Sequence, residues 1–278
     1  MYERYYQLRE KPFSILPDPD LIYWGRMHTM AFTMLEFGIM NNAGFTVITG
    51  EIGSGKTTLL RYLLRRVSPS VTVGLISSSP QGRHELLQMI LMSLDQNFEG
   101  DYPILFKRLQ DFLYGQFANG RRTILIIDEA QNLEAGALEH LRMLSNINAD
   151  KLQILQLILV GQPQLRDILM SPQMHQFAQR ISSDFHISPL DPQEVTRYID
   201  FRLKAVGSPR FLFTEEACGL IATASGGIPR MINVLCDTAL VYGFAGDKPV
   251  VGQEIVRQVI ADKQQHSMFP FKSLSKIR

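Results

Sequence analysis

Gly50-Glu51-Ile52-Gly53-Ser54-Gly55-Lys56-Thr57 is the stretch that decides the fold of this chain. Ahead of it, Phe45-Thr46-Val47-Ile48-Thr49 has the β-branched and aromatic make-up of a short buried strand. Behind it, Thr58-Leu59-Leu60-Arg61-Tyr62-Leu63-Leu64 spaces its apolar residues as a helix does. A glycine-rich segment between a parallel strand and a helix curls so that successive N–H groups point into one concavity, and the helix dipole adds a positive field. Such a cradle takes the phosphates of a nucleoside triphosphate. Gly50, Glu51, Ile52, Gly53, Ser54, Gly55, Lys56, Thr57 and Thr58 are the expected contacts. Lys56 would reach the β- and γ-phosphates, and the Thr57 hydroxyl would ligate Mg²⁺.

A second element completes the pattern. Thr123-Ile124-Leu125-Ile126-Ile127 reads as another buried strand and ends in Asp128-Glu129. The first carboxylate is expected to hold the water shell of Mg²⁺, and the second to polarise the attacking water. These motifs do not themselves distinguish ATP from GTP, and the chain carries no evident Asn-Lys-x-Asp guanine signal.

Composition narrows the class. With 28 basic and 27 acidic residues in 278, the net charge of +1 makes no electrostatic case for nucleic acid. Arg61, Arg65 and Arg66 read as a solvated helix face. The two cysteines, Cys218 and Cys236, fall in helical segments and read as buried small hydrophobes. The histidines show no metal-ligand spacing. The N-terminus lacks the basic and apolar blocks of a signal peptide, and no apolar run approaches the roughly 20 residues that cross a bilayer. These features predict a cytoplasmic protein whose membrane role, peripheral at the inner membrane, comes through a partner.

Apolar strand runs alternate with helical patterns, the signal for a parallel sheet with crossover helices. Strands are expected over 45–49, 71–77, 123–128, 154–160 and 184–187. Helices are expected over 56–67, 82–95, 103–118, 134–147 and 163–180, the last broken at Pro172. After Ser188-Pro189-Leu190-Asp191-Pro192 only helical patterns follow, over 192–206, 214–225, 229–244 and 252–264. The expected organisation is an α/β nucleotide-binding domain over 1–190, a helical lid over 191–264, and a flexible tail or docking peptide over 265–278.

A phosphate-binding domain followed by an all-helical lid resembles the AAA+ ATPases, and four more positions carry that resemblance. Gln162, in Leu159-Val160-Gly161-Gln162-Pro163, matches the polar sensor near the γ-phosphate. Arg180, in Phe177-Ala178-Gln179-Arg180-Ile181, stands where the family keeps its arginine finger. Arg230, in Gly226-Gly227-Ile228-Pro229-Arg230, matches the lid arginine, and His28, placed before the first long helix, lies in the region that flanks the adenine. More narrowly, Met1-Tyr2-Glu3 through Lys11-Pro12-Phe13, Leu16-Pro17-Asp18-Pro19, Asp128-Glu129-Ala130-Gln131 and Val160-Gly161-Gln162-Pro163 are similar to the bacterial general secretion pathway A proteins. Relatives of these in pilus-biogenesis and exosortase-linked systems share the likeness, which covers about residues 1–262.

The resemblance implies a three-layer αβα core with a five-stranded parallel sheet and a helical lid, ATP and Mg²⁺ as ligands, and Lys56, Glu129, Gln162, Arg180 and Arg230 as the catalytic set. Asp128 joins Thr57 at the metal, and Arg180 completes a neighbouring subunit's site in a ring or filament. It implies an envelope secretion, pilus or polysaccharide-export machine as partner; the alternative is a DNA-associated regulator of transposition target selection, whose ATPase core is similar. Secretion-pathway members usually continue into a membrane span and a peptidoglycan-binding domain. The sequence ends before either, so direct cell-wall binding is not expected of it.

Overall fold

The computed structural model describes residues 1–78, 80–149 and 152–266. In chain order its elements are α1 (Tyr2–Tyr5), α2 (Arg26–Met40), β1 (Phe45–Gly50), α3 (Lys56–Arg66), β2 (Val71–Ile76), α4 (Arg83–Ser93), α5 (Tyr102–Ala118) and β3 (Arg122–Ile127). There follow α6 (Ala135–Leu144), β4 (Asn148–Ala149), β5 (Leu152–Gln153), β6 (Leu155–Gly161), α7 (Pro163–Leu169), α8 (His175–Ala178) and β7 (Ile181–Ile187). The last four are α9 (Pro192–Ala205), α10 (Glu215–Ser225), α11 (Pro229–Ala245) and α12 (Gln253–His266). Two compact units form: one comprises Thr29–Gly50 and Leu60–Ile187, the other Met1–His28, Glu51–Leu59 and Ser188–Arg278.

The first unit holds the sheet. Among the described residues five strands pair in the order β2-β3-β6-β1-β7, every pair parallel. All six residues of β1 and all seven of β6 are buried, which is why these strands read as unbroken apolar runs: a parallel strand covered on both faces has no polar side. Side chains alternate between the faces. Phe45, Val47, Leu125, Ile127, Leu155, Leu157 and Leu159 join one core with α4, α5 and α6. On the other face a Cβ on Gly38 of α2 would overlap the Thr46 hydroxyl, and Gln156 Nε2 donates to the Ile39 carbonyl at 3.3 Å. These contacts give the three-layer α/β architecture expected from the sequence. In α5, Leu105, Leu109 and Leu113 recur every four residues on the buried side, and Asp101 caps the helix by accepting from Ile104 N at 3.3 Å.

The second unit, in its described residues, is helical apart from one bridge between Phe213 and Val251. Its core joins Val195, Ile199, Leu203, Ile221, Ile232, Leu235, Val256 and Ile260 to the N-terminal aromatics Tyr2, Tyr6 and Phe13. Buried Arg202 donates from Nε to the Pro12 carbonyl at 2.6 Å, and Asn233 Nδ2 donates to the Ser14 carbonyl at 3.0 Å. Tyr198 closes the group through its hydroxyl on Asn233 Oδ1 at 2.8 Å. Cys218 and Cys236 are both buried thiols, and burial pushes the Cys218 thiol up to about 11.

Several boundaries differ from the sequence expectation. The first long helix starts at Arg26, so His28 lies in its first turn and not before it. The helix expected over 163–180 does break at Pro172 as the sequence indicated: it ends at Leu169 and resumes as α8, because Pro172 supplies no N–H and disfavours a helical Ser171. β7 starts at Ile181, three residues early; as an edge strand it alternates, and Ser182 and Asp184 are exposed. The β4–β5 pairing was not anticipated. Of the expected tail, 265–266 end α12, and 267–278 lie outside the described residues.

Gly227 has φ +75, and a Cβ there would overlap the backbone carbonyl oxygen of Leu190, whose N–H donates to Gly227 O at 2.9 Å. Gly227→Ala should therefore cost about 2–4 kcal/mol in urea unfolding. Gly226→Ala, at an ordinary left-handed helix end, should cost about 1 kcal/mol. Equal costs at the two positions would contradict the steric account.

Candidate phosphate-loop site

The chain leaves β1 at Gly50 and forms the loop in the helical unit. A turn closed by Ser54 N on Glu51 O at 3.0 Å leads into α3, whose first bonds include Leu59 N to Gly55 O at 3.0 Å. Gly53 has φ +81 and Gly55 φ +99, values side-chain-bearing residues rarely adopt. Neither has room for a Cβ: at Gly53 it would overlap Arg230 Cβ, and at Gly55 it would lie 2.8 Å from His28 Nε2. Lys56 is 6% exposed and donates from Nζ to the Glu51 carbonyl at 3.0 Å, so its ammonium is held over the loop.

Two sequence-predicted residues brace this loop. Arg230, the second residue of α11, donates its backbone N–H to Gly53 O at 3.2 Å. His28 is buried and its Nε2 lies 2.8 Å from the Ser54 carbonyl. A carbonyl only accepts, so Nε2 carries the proton and Nδ1 is the acceptor; Nδ1 is buried and has no partner. Burial pushes the His28 imidazole below its ordinary value, offset in part by the Ser54 bond and the charge of Glu194. Glu194 accepts from Arg26 N at 3.2 Å and also closes the capping box of α9 with Asp191, so one carboxylate serves two helix starts.

The remaining predicted residues belong to the sheet unit. Asp128 follows β3, donates its N–H to Ile76 O at 2.9 Å, and caps Glu129 N with Oδ1 at 2.9 Å. Glu129 has φ 53, and its Oε2 accepts from Gln162 Nε2 at 3.2 Å. It accepts also from Gln131 Nε2 at 2.6 Å, while Gln131 Oε1 accepts from Gln162 N at 2.9 Å. Glu129 and Gln162 are thus brought together at the C-terminal ends of β3 and β6. Gln131 was not among the predicted site residues; its place two positions past Glu129 was the one available signal. Arg180 stands elsewhere. Ile181 pairs with Phe45 and Ile187 with Gly50, so Arg180 lies at the N-terminal end of the strands, away from Gly50, half-buried, with Nη1 on Ser145 Oγ at 3.1 Å.

Left-handed glycines with no space for a Cβ and a buried lysine aimed over them suit a phosphate chain. Thr57 supplies a hydroxyl and Asp128 a carboxylate, the hard oxygen donors that Mg²⁺ takes. This is a phosphate-loop nucleotide-binding fold. Residues 39–169 match the model of an AAA domain. The chain is 38% identical over 258 residues to general secretion pathway protein A of Aeromonas hydrophila, across 92% of this chain and 47% of that protein. It therefore belongs to the AAA+ proteins of the general secretion pathway A family, and it spans about half the length of the curated relative it matches. Its fold is similar to the Aeropyrum pernix ORC2 protein in ADPNP-ADP complexes (TM-score 0.63, 17% identity, 84% of this chain and 66% of that one). It is similar also to Cdc6p from Pyrobaculum aerophilum (TM-score 0.64, 18% identity, 88% and 70%). A third likeness is to the Thermotoga maritima RuvB Holliday junction branch migration motor (TM-score 0.56, 18% identity, 91% and 75%).

The histidine yields a pH test. A buried base with a lowered folded pKa binds fewer protons than the unfolded chain, so stability falls as pH drops through the ordinary imidazole value near 6.5. His140, also buried and pushed down, adds a second contribution. The thermal midpoint should drop between about pH 7.5 and pH 5.5, and His28→Gln should drop less over the same interval. Equal drops would show that His28 is not buried neutral.

Proposed function

We propose that this chain is a Mg²⁺-dependent ATPase that works as an oligomer on the cytoplasmic face of a bacterial envelope machine. The observation that carries hydrolysis, as distinct from binding, is the Glu129 carboxylate held by two side-chain amides at the strand ends. In this reading Glu129 takes the proton of the attacking water and Gln162 orients that water. Lys56 and Arg230 hold the phosphate oxygens, and Thr57 and Asp128 would hold Mg²⁺. Bound there, Mg²⁺ supplies charge neutralisation on the β- and γ-oxygens. His28 keeps the loop in shape from the adenine side. Arg180 completes the site of a neighbouring subunit, so the contact is head to tail and builds a ring or a filament. The secretion machine as partner rests on the relative named for the general secretion pathway. No helix among the described residues is long and apolar enough to cross a membrane.

Phosphate release and nucleotide titration test the local roles. Glu129→Gln should keep MgATP affinity within a few-fold and lose hydrolysis, whereas Lys56→Ala should lose the thermal stabilisation that MgATP gives the unmutated chain. Normal turnover by Glu129→Gln would remove the base assignment.

Assembly has its own test. Specific activity should rise with protein concentration, and Arg180→Ala should bind ATP normally while hydrolysing roughly 10³- to 10⁵-fold more slowly. Mixing Arg180→Ala with Lys56→Ala should restore part of the activity, since some interfaces then pair an intact loop with an intact arginine. A fully active monomer would return Arg180 to a structural role.

A further inference from the structure

We infer that Gln131 is a positioning residue for the reaction, locking the Glu129 carboxylate and the Gln162 backbone into one unit; the inference rests on the proposed role of Glu129. Three hydrogen bonds close a ring of three residues. Gln131 Nε2 donates to Glu129 Oε2 at 2.6 Å, Gln162 N donates to Gln131 Oε1 at 2.9 Å, and Gln162 Nε2 donates to Glu129 Oε2 at 3.2 Å. The two ends of the Gln131 amide are not interchangeable. A carboxylate accepts only, so it must meet the NH₂; a backbone N–H donates only, so it must meet the carbonyl.

The surroundings reserve this geometry. A Cβ on Gly161 would lie 2.8 Å from Gln131 Oε1 and 2.9 Å from Leu165 Cδ2, so the strand end is kept bare where the amide crosses. Gln131 sits in a single 3-10 turn, Ala130–Asn132, anchored by fully buried Ala130 and by Asn132 N on Glu129 O at 3.0 Å. Glu129 is held at φ 53, a left-handed conformation that costs free energy for a side-chain-bearing residue. Strain of that kind persists where neighbours over-determine the position, and the amide ring supplies the determination. The half-buried Gln131 side chain is thus committed at both ends to the two residues the reaction needs, one through its side chain and one through its backbone.

A residue that acts only through Glu129 has a signature that a merely structural one lacks. Gln131→Met keeps length and loses both bonds; Gln131→Glu keeps the acceptor and replaces the donor by a like charge facing Glu129. Both should lower kcat for ATP by about 10-fold or more with KM within about twofold, the split expected when an interaction made only in the transition state is lost. In the Glu129→Gln background, Gln131→Met should lower kcat no further, because the group it positions is gone. Thermal midpoints and ATP affinity, measured on the unmutated chain and all four variants, separate these effects from misfolding. If Glu129→Gln turns over normally, the role of Glu129 fails, and the inference with it. If Glu129→Gln is inactive but Gln131→Met has unchanged kcat, or if the two losses add, the inference alone is overturned.

Discussion

The register of β1 is the constraint on which the sheet unit and its half of the site depend. β1 is paired on both sides and buried at all six residues, so a slip of one residue would exchange Phe45 and Val47 for Thr46 and Ile48 in the core. The register that results sets Thr49 level with Gly161, and the neighbouring pairing sets Ile127 level with Leu159. Gly50, Asp128, Glu129 and Gln162 therefore emerge at the same edge of the sheet. Hydrophobic pairing along the strands fixes the place of polar groups that have no hydrophobic reason to meet.

In the helical unit the corresponding constraint is the glycine backbone at 53 and 55. The start of α11 can rest on the loop because Gly53 has no side chain, and the N–H of Arg230 bonds its carbonyl at 3.2 Å. One such bond contributes about 0.5–1.5 kcal/mol net. The N-terminal segment is tied to the same helices by different means: buried Arg202 and Asn233 hold the carbonyls of Pro12 and Ser14. Buried Pro12-Phe13 is thus part of this core, with Phe13 packed edge-on against Phe213 at 6.0 Å.

How far the sequence could be read follows from how local each determinant is. The phosphate loop, the Asp128-Glu129 strand end and the buried strands were legible because each is a contiguous pattern. β7 was legible only in its second half, since Ser182-Ser183-Asp184 at a sheet edge lacks the apolar run of a central strand. His28 was flagged by position alone; its bond to Ser54 joins residues 26 apart and leaves no periodic trace. Gln131 and Gly161 were invisible as partners for the same reason, since the glycine's missing Cβ has meaning only once the amide is seen crossing it. The membership of Met1–His28 and Glu51–Leu59 in the helical unit was equally hidden, because it arises from tertiary contacts and not from composition.

Arg180 shows how sheet geometry bears on assembly. The five steps from Phe45 to Gly50, at about 3.3 Å each, put roughly 16 Å between its level and the start of the loop, beyond the reach of a side chain. An arginine there either serves its own edge or acts on another molecule. Its guanidinium holds Ser145 Oγ by a charge-assisted bond at 3.1 Å, a contribution of about 1.5–3 kcal/mol. A finger worth 10³–10⁵ in rate corresponds to about 4–7 kcal/mol of transition-state stabilisation. In the trans role proposed for Arg180, releasing the tether is therefore the smaller of the two contributions.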